Sequence, residues 1–109
     1  PAHGAIIAGR ILGDVALRGN WEAELAAMCQ RINGLRTDFR DRLQVATGRD
    51  FGFIANEKGM FSFLGLTQEQ AQRVRSERSL YMLDSSRINV ASLNAGNMDK
   101  VVEAVASVL

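Results

Sequence analysis

Arg87, Phe61 and a lone cysteine are the side chains of this 109-residue chain whose chemistry asks for an explanation. Arg87 follows Ser85 and Ser86 and precedes Ile88, Asn89 and Val90, so it stands where a polar turn meets an apolar strand. Read by itself, such an arginine is a surface residue whose ion pairs are marginal. Phe61 and Phe63 are two apart and share one face of a strand, while Met60 and Ser62 take the other. Composition alone makes the two rings core aromatics. Cys29 and His3 are each the only residue of their type, and no Cys-His pattern surrounds either, so Cys29 reads as a small helix residue and not as a nucleophile. Gly4, Gly9 and Gly13 have the wrong spacing for a nucleotide-binding loop, with no Gly-Lys-Ser/Thr after them. Tyr81, the only tyrosine, reads as packing.

The elements that carry these residues follow from periodicity. Ile6, Ile7, Ile11 and Leu12 have helical spacing, and Gly13-Asp14 ends that segment. A long helix is predicted from Asn20, its cap, with Trp21, Leu25, Met28, Ile32, Leu35, Phe39 and Leu43 as one apolar stripe and charges on the other face. Gly48 closes it, and Gly34 inside it marks close packing or a bend. The period then changes. Residues 51–55 and 60–64 read as two strands of a hairpin turned at Asn56-Glu57-Lys58-Gly59, with Gly59 at a positive φ. Thr67 and Gln70 form a capping-box signal for a helix through about Arg78. Residues 80–83 and 87–91 read as two further strands, and Asn94 starts a terminal helix with Met98, Val101, Val102, Val105 and Leu109 on one face. The result is an α/β fold, a small and mainly antiparallel sheet covered by helices.

Length and composition narrow the function. A chain of this size buries roughly 65% of the surface its unfolded form exposes, enough for one core without staples. With one cysteine there is no internal disulfide, and a reducing, cytoplasmic setting is the default, with the mitochondrion open. The net charge of +1 rests on 13 basic and 12 acidic residues that alternate, which argues against nucleic acid or an anionic membrane as partner. Arg73, Arg75 and Arg78, flanked by Glu69 and Glu77, read as a solvated helix face. No apolar run approaches the ~18 residues of a membrane span. The first residue is Pro, not Met, which suggests a piece of something longer.

As a set, five motifs resemble the C-terminal small domain of the class I pyridoxal-phosphate aminotransferases, the aspartate type first and the aromatic amino acid type second. They are Gly59-Met60-Phe61-Ser62-Phe63, Arg87-Ile88-Asn89-Val90-Ala91, Pro1-Ala2-His3-Gly4, Trp21-Glu22-Ala23-Glu24-Leu25, and Gly65-Leu66-Thr67-Gln68-Glu69-Gln70. Their order and spacing match the family from Pro1 to Leu109. The family usually has Gly before the arginine, where this chain has Ser86, and a positive φ there is one that Ser adopts only at a cost.

The resemblance inverts the reading of Arg87. It implies that Arg87 holds the α-carboxylate of each amino acid and 2-oxo acid substrate in a bidentate fork, and that this contact drives closure of the small domain over a large one. It makes Phe61 a wall of the substrate pocket, leaves Phe63 as core, and has Asn89 brace the strand. It implies the small domain of a type I fold over residues 15–109, with residues 1–14 leading in from a missing large domain. Pyridoxal 5'-phosphate belongs to the full-length parent. Neither Lys58 nor Lys100 lies in the family's Ser-x-x-Lys pattern, so no catalytic residue and no bound cofactor are expected in this stretch, which is inactive alone. The parent is expected to be a homodimer, and the fragment to self-associate through Ile6, Ile7, Ile11 and Leu12. The alternative is a free-standing interaction module that kept the fold and lost the chemistry.

Overall fold

The computed structural model describes residues 2–109. Pro1, the first residue of the Pro-x-His-Gly turn, lies outside the described residues. Helix α1 (His3–Gly13) ends at Asp14, whose backbone is extended. The Asp14 carboxylate then accepts the amides of Ala16 at 2.9 Å and Leu17 at 3.0 Å. Helix α2 (Val15–Thr47) therefore starts earlier than Asn20, because Asp14 already supplies the cap and nothing after it breaks the helix. Gly48 closes α2 at φ +68°, its N–H donating to Gln44 O at 2.9 Å.

The chain packs as two units, one ending at Arg31 and the other spanning Ile32–Leu109. None of the described residues of the first unit is buried, so Trp21, Leu25 and Met28, expected on a buried stripe, are exposed. In the second unit the stripe behaves as expected: Phe39 and Leu43 are fully buried, and Ile32 and Leu35 pack against the core partly buried.

The second unit continues with α3 (Gly52–Asn56), β1 (Phe61–Phe63), α4 (Gln68–Arg78), β2 (Arg87–Asn89), a 3-10 turn (Val90–Ser92) and α5 (Met98–Ala106). The two strands pair antiparallel, Phe61 opposite Asn89, Ser62 opposite Ile88 and Phe63 opposite Arg87. Two of the four expected strands are not strands. Phe51 and Ile54, three apart, both reach the core, which a strand would forbid by placing them on opposite faces; α3 allows it, with Asp50 accepting the Gly52 amide at 2.7 Å. Residues 80–83 form no strand, and the Met82 carbonyl accepts from Arg75 Nη2 at 3.0 Å. The hairpin expected at 56–59 is therefore absent, although Gly59 does take φ +81°. Helix α4 opens with the expected capping box of Thr67 and Gln70. Asn94 opens a turn, not the helix: its N–H donates to Asn97 Oδ1 at 2.8 Å, and α5 follows with Met98, Val101, Val102 and Val105 in the core.

Candidate functional site: a free arginine on an aromatic platform

The turn before β2 is fixed from two sides. Ser86 adopts φ +59° and is 1% exposed. Its N–H donates to Leu83 O at 2.8 Å, its carbonyl accepts the Leu64 amide at 3.1 Å, and its hydroxyl accepts the Leu66 amide at 3.2 Å. The serine thus takes the left-handed backbone that a glycine takes freely, and the hydroxyl satisfies a buried N–H that glycine would leave to other partners. On the other side Asp84 accepts from Arg75 Nη2 at 2.5 Å and from Gln68 Nε2 at 3.1 Å, which ties the turn to α4. The hydrogen bond from Arg75 holds the Asp84 carboxyl below the usual aspartate range.

From this turn Arg87 projects over Phe61, its guanidinium carbon 4.8 Å from the ring centroid. The register explains the contact: Arg87 is opposite Phe63, and Phe61 is its diagonal neighbour, within reach of a long side chain. Arg87 is exposed and makes no hydrogen bond or ion pair with any described residue. It stands in an open groove of about 510 Å³ whose walls include Phe61, Tyr81, Met82, Asn89 and Asn97. Asn89 accepts the Ala91 amide at 3.0 Å and so braces the chain just after the strand. Three expectations change here. Phe61 and Phe63 are not core rings, at 43% and 50% exposed, because their strand turns Ser62 inward. Phe63 in particular, expected in the core, lies outside it. Tyr81 is largely exposed and lines the groove without packing inside.

Beneath the strand lies a residue that the sequence reading passed over. Arg36 is 2% exposed, and its guanidinium donates to Gly59 O at 2.6 Å, Phe61 O at 3.1 Å, Ser62 Oγ at 3.2 Å and Ile54 O at 3.3 Å, with Glu57 Oε2 at 3.5 Å. Ser62 in turn donates to Glu57, and Glu57 Oε1 accepts the Phe63 amide at 3.1 Å. A signal was available. Arg36, Phe39 and Leu43 are spaced three and four apart, so Arg36 lies on the apolar stripe and not on the charged face.

Lys58 and Lys100 are exposed, and neither lines the groove. Cys29 is exposed on α2. No helix among the described residues is long and apolar enough to cross a membrane.

The profile of the family described as aminotransferase class I and II matches residues 1–105. The chain belongs to that family. Aspartate aminotransferase of Escherichia coli is 47% identical over 110 residues, covering 100% of this chain and 28% of that protein. The aromatic-amino-acid aminotransferase of Pseudomonas aeruginosa is 38% identical over 109 residues, covering 99% of the chain and 27% of that protein. The solved aromatic-amino-acid aminotransferase of Burkholderia pseudomallei, covalently bound to pyridoxal phosphate, superposes with a TM-score of 0.96 at 43% identity, over 100% of this chain and 28% of that one. This aminotransferase stretch therefore spans little more than a quarter of the relatives it matches. Its fold is that of a domain of those enzymes. Its groove offers a cation, an aromatic face and amides, and no lysine lines it.

Proposed function

We propose that this chain is the C-terminal small domain of a pyridoxal-phosphate aminotransferase and that Arg87 binds the substrate α-carboxylate against the wall formed by Phe61. One observation carries the reading: among the described residues the guanidinium of Arg87 has no hydrogen-bond or ion-pair partner while it stands in a groove. Arg42, Arg73 and Arg75, by contrast, each face a carboxylate of the protein at 2.9 Å or less. A carboxylate arriving over the Phe61 ring meets paired donors in one plane, and the ring keeps water from one face of the guanidinium. Covering the groove by the rest of the parent strengthens that contact by lowering the local dielectric.

Pyridoxal phosphate, when bound in the parent, supplies the electron sink of transamination. The remainder of the parent holds it, with the lysine and the phosphate cradle. The reaction moves an amino group from an L-amino acid to a 2-oxo acid, with aspartate the first substrate to try and an aromatic amino acid the second. Residues 1–14 lead in from the large domain and residues 15–109 form the small one. The parent acts as a homodimer, and the 109-residue chain is inactive alone. The bare apolar side chains of Ile6, Ile7, Leu12 and Val15 need a cover, which we assign to the large domain. Steady-state kinetics of Arg87→Leu in the full-length protein test the reading: kcat/KM falls by orders of magnitude for every amino donor while the cofactor stays bound. An unchanged kcat/KM would remove the carboxylate role.

A further inference from the structure

We propose that Arg36 is a positioning residue for the carboxylate site: by gripping the backbone of β1 it sets where the Phe61 ring stands, and so where Arg87 is held. The inference rests on the reading of Arg87 given above. Four of the five acceptors around the Arg36 guanidinium lie between Glu57 and Ser62, the loop into β1 and the strand itself. Two of them are the carbonyls of Gly59 and Phe61, so the guanidinium holds the strand's backbone directly to α2.

Strand position needs such a constraint. A two-stranded ribbon of three residues each is too short to fix its own place, since isolated ribbons of that size are marginal. Volume alone does not explain the choice of side chain. A buried guanidinium stays charged and loses its hydration, so an apolar residue would fill the same space at less cost unless the fixed acceptors matter. Ser62, wholly buried on the face opposite the exposed rings, extends the grip by accepting from Arg36 and donating to Glu57. A tether on one face of β1 thereby sets the ring on the other.

The test is a double-mutant cycle in the full-length enzyme, with KM and kcat measured for L-aspartate or L-phenylalanine, whichever the wild type turns over faster. Arg36→Lys keeps the charge and loses the fork, and it raises KM by about tenfold to a hundredfold with a smaller change in kcat, the scale of a displaced substrate-binding group. In an Arg87→Leu background most of that penalty disappears, because Arg36 acts through Arg87. Ser62→Ala gives the same pattern at smaller size, and it decides the matter if Arg36→Lys does not fold. An unchanged KM, or a penalty that persists in full in the Arg87→Leu background, overturns the positioning role and leaves Arg36 purely structural. A wild-type kcat/KM for Arg87→Leu alone would instead sink the underlying carboxylate reading.

Discussion

The two faces of β1 hold the same type of side chain in opposite states. Below the strand, Arg36 is buried and surrounded by acceptors; above it, Arg87 is exposed and, among the described residues, its guanidinium meets the Phe61 ring and no acceptor. What separates structure from recognition here is who supplies the oxygens. For Arg36 the protein does, through two strand-proximal carbonyls and a carboxylate, and for Arg87 it leaves the donors open.

That contrast can be broken most forcefully at Arg87. Arg87→Leu should lower kcat/KM of the full-length enzyme by orders of magnitude yet shift the unfolding free energy of the chain by no more than about 0.5 kcal/mol, as an exposed and unpaired group does. Arg36→Leu should do the reverse first. It strands Glu57 and several carbonyls without their donor, and urea unfolding should show a loss of roughly 3–5 kcal/mol. Equal stability costs at the two positions would erase the distinction. A smaller change sharpens it: Phe61→Leu removes the platform while keeping the charge, so KM should rise by roughly two- to fivefold, the size of an exposed cation–π contact.

The smallest effect concerns the turn that delivers Arg87. Arg75 depresses the Asp84 carboxyl in the folded state, so between the folded and the ordinary value the unfolded chain binds more protons. The contribution is therefore complete above about pH 4 and is lost as pH falls through the depressed value. Thermal melts of Asp84→Asn should show a shallower acid decline below that pH than the parent sequence. Glu77, held low by the hydrogen bond from Arg73, keeps part of the slope in both.

Local signals gave the parts of the fold that local chemistry decides. The Thr67–Gln70 box, the Gly48 stop and the positive φ of Gly59 all depend on residues within a few positions. Residues 51–55 misled because five apolar-rich positions are too few to separate a helical from a strand period. Residues 80–83 misled because β-rich composition does not supply a partner strand. Arg36 was the deepest miss: its acceptors lie 18 to 26 residues along the chain, and a buried charge is legible only once they are known. Arg87 and Phe61 came from the resemblance, whereas their stacking came from the strand register.

Ser86 narrows how this turn can drift in sequence. Glycine satisfies the position by having no Cβ, and serine satisfies it by taking the Leu66 amide into its hydroxyl. Alanine has neither remedy, and at 1% exposure there is no room for a longer side chain to find one. The two tolerated solutions are thus chemically unlike neighbours, with no gradual path of intermediate side chains between them.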